Sequence, residues 1–179
     1  MTIGKSAVLV FFLLMMVHIG CGIFKANNSA ENVFKAGDYN LVFTFPKEWK
    51  IEKEENPYDL QVTDGKAYAN VFAYEMKDLS ENQTPMDIYQ TQKSDLFSKR
   101  NNVKVISESK RTENNVRIHS EIVSAEKDGH KNHYYCNLVD LNNGSGIFAW
   151  VVFTAIPSHA DKNTEKWNHI LATARNDKK

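Results

Sequence analysis

Residues 103–155, VKVISESKRTENNVRIHSEIVSAEKDGHKNHYYCNLVDLNNGSGIFAWVVFTA, decide the fold of this chain. Runs rich in β-branched and aromatic residues alternate there with short turn signals, which is typical of neighbouring strands. The turns are predicted at Asn114-Asn115, at Asp128-Gly129 and at 142–144. Parallel neighbours need a crossover of a dozen or more residues, so connections this short predict an antiparallel meander. Its four strands are predicted at 103–110, 116–125, 131–141 and 146–155.

More strands are predicted before the meander. Residues 39–45 alternate large apolar with mostly polar side chains, the pattern of a strand with one buried face, and Pro46 ends the run. A hairpin is predicted between 60–63 and 67–76, because Asp64-Gly65 suits a tight turn. These strands can extend the same antiparallel sheet.

Two amphipathic helices are also predicted. Thr84 is a good N-cap for the first, and Asp87 stands three residues later at the capping-box position. Ser158 is predicted to cap the second helix, with Asp161 as its partner. Each helix carries one apolar face, formed by Met86, Tyr89, Leu96 and Phe97 in the first and by Trp167, Ile170, Leu171 and Ala174 in the second. We therefore predict an α+β domain, an antiparallel sheet with helices packed on it.

The stretch 39–49, YNLVFTFPKEW, resembles the entry strand of the PsbP/DcrB-like families, in which an aromatic strand runs into a proline and then a tryptophan. The resemblance covers residues 37–175 in the order and length of elements. It implies an α/β/α sandwich of the PsbP-like type, and many bacterial members are envelope lipoproteins. The resemblance implies no catalytic residues.

The N-terminal sequence predicts processing and anchoring. A short apolar run at 7–19 follows Lys5, the layout of a secretory signal, and thirteen residues are too few to span a bilayer. The run ends in His18-Ile19-Gly20-Cys21, which resembles the lipobox of bacterial lipoproteins, although His18 stands where that pattern usually has Leu, Val or Ile. The resemblance implies cleavage before Cys21 and acylation of its thiol, with palmitate as a typical chain. An ordinary cleaved signal is the alternative.

These features predict how the chain is organised and where it is found. Residues 1–20 are the expected signal peptide of lipoprotein type, 21–32 a lipid-anchored tether, 33–175 the PsbP/DcrB-like domain and 176–179 a tail. Two acyl chains are enough for stable attachment to a membrane surface. The domain is therefore expected in the cell envelope, outside the cytoplasm, with the membrane surface contacted through acylated Cys21.

Charge and motifs argue against nucleic-acid binding and against catalysis. The chain has 22 basic and 22 acidic residues and no long run of one charge sign, whereas nucleic-acid binding needs a basic face, so no nucleic-acid partner is expected. It contains no G-x-S-x-G, H-E-x-x-H or C-x-x-C motif and no phosphate-binding loop. If Asp128-Gly129 is a two-residue turn, then His119, His130 and His133 face Leu138, Lys127 and Ser124 and do not converge. Cys136 is expected to be a buried structural thiol. We predict no enzyme activity, no metal and no cofactor.

Aromatic residues are dense on the predicted strands. They either form the core beneath the helices or line a concave apolar surface, and the candidate binding surface is Tyr68, Tyr74, Tyr134 and Tyr135. The favoured function is a non-enzymatic envelope lipoprotein, a binding or accessory module for another envelope protein. The alternative is a carrier or sensor of a small apolar molecule in a pocket between helix and sheet. An enclosed apolar cavity favours the carrier, and a flat exposed patch favours the binding module.

Overall fold

The computed structural model describes residues 31–52 and 58–177. Within them lie two α-helices, α1 at Pro85–Phe97 and α2 at Pro157–Ala172, and a 3-10 turn at Met76–Asp78. The strands are β1 Glu31–Ala36, β2 Leu41–Pro46, β3 Lys50–Ile51, β4 Leu60–Thr63, β5 Ala67–Glu75, β6 Asn101–Glu113, β7 Val116–Lys127, β8 His130–Leu141, β9 Ile147–Ala155 and β10 Arg175–Asn176. In this part of the chain, no helix combines the length and apolar character that a membrane crossing requires.

Seven strands form one antiparallel sheet in the order β3-β4-β5-β9-β8-β7-β6. The predicted meander is confirmed, because β6, β7, β8 and β9 are consecutive neighbours in it. Asp128 and Gly129 connect β7 to β8 with φ of 52° and 77°, the backbone that a two-residue hairpin turn of this kind requires. This turn sets Lys127 opposite His130, as predicted. β6 is the edge strand, and all but one of its residues are exposed.

A smaller sheet in the order β1-β2-β10 joins the two ends of the described chain. β1 begins at Glu31, two residues before the predicted start of the domain. β10 pairs Arg175 with Val42 and Asn176 with Leu41, so regular structure extends into the first residue of the predicted tail. The sequence showed no strand pattern there, because two residues are too few to display a period.

The large sheet is covered on both faces. Successive residues of a strand point to opposite faces, so β5 directs Ala69 and Val71 to one side and Phe72 and Tyr74 to the other. α2 and the small sheet cover the first face, where the larger core contains Phe43, Phe45, Trp167, Ile170 and Leu171. α1 covers the second face over a smaller core. This is the predicted α+β architecture, an α/β/α sandwich.

The two helix starts differ from each other. α1 begins as predicted: Thr84 Oγ1 accepts from Asp87 N at 3.3 Å, and Asp87 Oδ2 accepts from Thr84 N at 2.8 Å. The prediction that Ser158 caps α2 is wrong. Ile156 is the N-cap, without a side-chain hydrogen bond, and Pro157 occupies the first helical position, where its missing N–H costs nothing.

Candidate functional site

The structure does not bring the four predicted surface tyrosines together. Tyr134 and Tyr135 are neighbours on β8, so their side chains point to opposite faces, and they are only 3% and 4% exposed. Tyr134 lies under α1, and Tyr135 packs in the core under α2. Neither side chain can therefore line an exposed surface.

The other two tyrosines lie on β5, on the face that α1 covers. Tyr68 is 44% exposed. Tyr74 stacks on Phe148 with ring centroids 5.1 Å apart, and its hydroxyl accepts from Gln92 Nε2 at 3.0 Å. Burial, reinforced by the charge of Asp59, raises the pKa of Tyr74 to about 12. Most of the aromatic residues on the strands are thus core residues, which was one of the two interpretations of their density.

The chain has two cysteines, Cys21 and Cys136, and the structure describes only the second. Cys21, the predicted lipidation site, lies outside the described residues, as does the proposed signal peptide. Cys136 is fully buried on the α1 face of β8, as predicted. Burial raises the pKa of its thiol, which keeps it protonated and a poor nucleophile.

A buried charged cluster lies between α1 and β7, and Glu121 is its centre. Lys93 Nζ donates to both carboxylate oxygens of Glu121, at 2.8 and 3.0 Å, and Tyr89 Oη donates to Oε1 at 3.0 Å. Glu121 is 6% exposed and Tyr89 is completely buried. The α1 helix therefore brings a cation and a neutral donor to a carboxylate on the sheet.

Burial and hydrogen bonding act in opposite directions on the pKa of Glu121. Burial raises it, whereas the hydrogen bonds from Lys93 and Tyr89 lower it, and the resulting pKa lies below its usual range. Burial and the charge of Glu121 raise the pKa of the Tyr89 hydroxyl. Glu121 is thus ionised at neutral pH, and Tyr89 remains a donor to it.

His119 lies beside this cluster. Its ring meets the Tyr89 ring edge-on, with centroids 5.1 Å apart. Nε2 is 3.6 Å from Glu121 Oε1 and Nδ1 is 3.7 Å from Glu108 Oε1, both beyond normal hydrogen-bond length. Within the described residues neither ring nitrogen has a hydrogen-bond partner, although both atoms are buried. Buried polar atoms are normally paired, so His119 keeps hydrogen-bonding capacity at the edge of the cluster.

A groove of about 530 Å³, which we call the α1-side groove, lies between the first turn of α1 and the face of β6, β7 and β8. Lys110 stands directly opposite His119 in the register, and Arg117 lies two residues from His119 on the same face of β7. The lining also includes Met86, Leu138 and Asp140. Charged groups in the groove lie next to apolar ones.

The groove is open to solvent, and its two cationic side chains are largely exposed. The side chains of Lys110 and Arg117 are 70% and 59% exposed. Arg117 Nη2 donates to Asp140 Oδ2 at 2.6 Å, and Lys110 Nζ lies 3.6 Å from Glu108 Oε1. A second groove of about 380 Å³ adjoins it at the Arg117 and Asp140 side chains. Such an arrangement can bind a polar or charged group and an aliphatic group side by side.

The sequence did not identify this site. Glu121 was only one of several acidic residues near strands, and Tyr89 was recognised only as part of the apolar stripe of α1. A signal is present on β7, where Arg117, His119 and Glu121 put three polar side chains on one face of a strand in the meander. Lys93 carries no such signal, because only the packing of α1 brings it to Glu121. In the described parts of the chain, His, Cys, Asp and Glu form no group of three that could hold a metal ion.

The sheet order and the helix on each face define a class: the chain has the PsbP-like fold. One solved structure with this fold is cyanobacterial PsbP (CyanoP) from Synechocystis sp. PCC 6803. It superposes with a TM-score of 0.60 at 10% identity, over 82% of this chain and 92% of that one.

Two other solved structures share the architecture. LpqN of Mycobacterium tuberculosis, involved in cell envelope biogenesis, gives a TM-score of 0.57 at 13% identity, over 80% of this chain and 88% of LpqN. The Ran-binding protein Mog1p of Saccharomyces cerevisiae gives 0.52 at 10% identity, over 82% and 96% of the two chains. No protein-family model and no curated protein sequence matches this chain significantly. At these identities the likeness establishes the fold.

Proposed function

We propose that this chain is a binding or accessory module of the cell envelope, tethered to a membrane through acylated Cys21 and acting on another envelope protein without catalysis. The observation that carries the proposal is the α1-side groove, which is open and lined by both charged and apolar side chains. Protein–protein contacts commonly combine an apolar centre with polar groups around it. The groove thus has the chemical character of a docking site.

The proteins that share the fold support the same role. LpqN is involved in cell envelope biogenesis, and Mog1p is a Ran-binding protein. The groups with catalytic potential also suit a non-enzymatic role, since Glu121 is held by Lys93 and Tyr89 and the Cys136 thiol is buried. A carrier of a wholly apolar ligand is less well supported, because Lys110, Arg117 and Asp140 line the groove.

A photo-crosslinking amino acid at Thr112, exposed beside the groove, tests the docking role in intact envelopes. Glu165, exposed on α2 across the sheet, is the matched control position. We expect Thr112 to capture one protein that Glu165 does not capture, and Lys110→Glu to abolish the capture. Identical neighbours at both positions, or capture that ignores the Lys110 charge, would contradict a docking role for the groove.

The tether is tested separately by mass spectrometry of the membrane-extracted chain. We expect an N-terminal peptide that starts at Cys21 and carries acyl chains, and release of the Cys21→Ser variant from membranes. An unmodified N-terminus at another residue would refute lipid anchoring and leave the docking role to the crosslinking result.

A further inference from the structure

We propose that the α1-side groove recognises a carboxylate next to an aliphatic side chain, carried on an extended segment of the partner protein. This inference rests on the proposed function and names the chemistry of the partner. It follows from the donors in the groove, from the balance of the surrounding charges, and from the apolar wall beside them.

Three side chains that can donate hydrogen bonds converge in two adjacent rows of the sheet. Lys110 faces His119 across β6 and β7, and in the next row Arg117 faces Thr112. Directly opposed side chains on one face of an antiparallel pair have Cβ atoms about 5 Å apart. One small anion can therefore meet the exposed side chains of Lys110 and Arg117 together, beside the His119 ring.

Arg117 keeps donors for such an anion. A guanidinium has five N–H groups in a planar fork, and within the described residues its side chain is bonded only from Nη2, to Asp140. Its remaining N–H groups are accessible, because the side chain is 59% exposed. An arginine that already holds one carboxylate in this way can still donate to a second.

Lys110 is similarly available. Its contact with Glu108 is 3.6 Å long, and the two side chains are 70% and 55% exposed. Exposed ion pairs of this kind contribute little to stability, so Lys110 can turn to an incoming carboxylate at little cost. His119 lies between these groups and Glu121, and its buried ring nitrogens make no hydrogen bond among the described residues.

The neighbouring negative charges do not offer a better site for a cation. Glu121 is occupied by Lys93 and Tyr89, and Asp140 is occupied by Arg117. The third carboxylate, Glu108, already lies 3.6 Å from Lys110 Nζ. A cation entering the groove would meet Lys110 and Arg117 with all three carboxylates next to a cation already. Charge complementarity therefore favours an anion.

The apolar side of the groove determines which group should stand next to the carboxylate in the ligand. Leu138 neighbours His119 in the register, and Met86 from α1 borders the same groove. Methionine adapts to irregular aliphatic shapes. A leucine-like or valine-like side chain next to the carboxylate would cover both residues.

The length of the site favours a peptide over a free acid. The second groove continues from Arg117 and Asp140 past Pro85 to the loop at Asn142 and Gly144. Together the two grooves pass the start of α1 and offer room for residues on either side of the carboxylate. A free aliphatic acid would fill only the first.

The test follows the Met86 methyl resonance in methyl-labelled full chain held in lipid nanodiscs, with Met86→Leu to assign it. The probes are N-acetyl-Leu-Glu-Leu-amide, the same peptide with Gln in place of Glu, and free 4-methylpentanoate. We expect saturable shifts with the Glu peptide and binding at least about tenfold weaker with the Gln peptide. The double variant Lys110→Gln with Arg117→Gln should weaken the binding of the Glu peptide by a similar factor. Lys104→Gln, an exposed lysine on the same strand, should leave its affinity unchanged.

Three results would overturn the proposal. Equal binding of the Glu and Gln peptides would exclude recognition of a carboxylate. Binding of 4-methylpentanoate alone would exclude a peptide source and favour a small-molecule site. No shift of Met86 with any probe would remove the groove as a carboxylate site, whereas capture of a partner from Thr112 would still support the proposed function.

Discussion

Replacing Lys93 by Met should destabilise the protein by leaving the buried Glu121 carboxylate without its cation. Lys93 Nζ lies 2.8 Å from Glu121 Oε1, and at an effective dielectric constant of about 20 two unit charges at that distance attract by about 6 kcal/mol. Removing one partner of a fully buried pair costs about 3–5 kcal/mol, and removing one from an exposed pair costs about 1 or less. The Lys93 side chain is 22% exposed, and Tyr89 still donates to Glu121 in the variant. We therefore expect an intermediate loss in the free energy of unfolding, about 2–3 kcal/mol.

Urea unfolding at pH 7 measures this loss. With a denaturant slope of about 2 kcal/mol per M, the midpoint should fall by about 1–1.5 M. The control is Lys99→Met, which replaces an exposed lysine just beyond α1. Its free energy of unfolding should stay within about 0.5 kcal/mol of the parent's. The double variant Lys93→Met with Glu121→Gln should recover part of the loss, because no buried charge remains unpaired.

The loss should also depend on pH. The pKa of Glu121 is lowered in the folded chain relative to its ordinary 4.5. A lowered carboxyl pKa contributes stability above the unfolded value that is lost as pH falls through the folded value. Lys93→Met removes a main cause of the lowering, so the gap between parent and variant should narrow below about pH 4.5. A loss under 0.5 kcal/mol at pH 7, or a gap that does not change with pH, would refute the role of Lys93.

Three further predictions concern the frame around the site. Thr84→Ala should lower the free energy of unfolding by about 1 kcal/mol by removing the α1 cap, with Ser80→Ala as an exposed control in the preceding loop; equal effects would contradict the cap assignment. Leu171→Ala should lower the free energy of unfolding in urea by about 2–5 kcal/mol, because Leu171 is fully buried in the core under α2. A loss below about 1 kcal/mol would contradict that packing. In the native protein Cys136 should react with a thiol reagent only at the rate of unfolding, since burial excludes the reagent and raises the pKa of the thiol; rapid labelling would show that β8 is accessible.

Local patterns were enough to predict most of the fold. The meander followed from runs of strand-forming residues and from turn residues such as Asp128 and Gly129, whose backbone preference acts over a few residues. The capping box of Thr84 and Asp87 was predicted for the same reason. The prediction that Ser158 caps α2 is wrong, because the helix already begins at Pro157, the residue before it. Ser158 therefore lies inside the helix.

The candidate site was beyond local patterns, because its members come from distant parts of the chain. Lys93 and Glu121 are 28 residues apart, and Tyr89 is 32 residues from Glu121. Periodicity correctly put Tyr89 on the buried side of α1. It carries no information on which strand α1 covers or which polar side chain lies beneath it.

The sequence by itself determined the antiparallel meander, the start of α1 and the hairpin between β4 and β5, because each depends on neighbours within a few positions. It also contains the Cys21 motif on which the proposed anchor depends. Only the tertiary structure decided that Tyr134 and Tyr135 are buried, since alternation separates two faces without saying which one a helix covers. It alone brought Lys93 to Glu121 and formed the α1-side groove, because α1 does not cover β6 or the Arg117 end of β7.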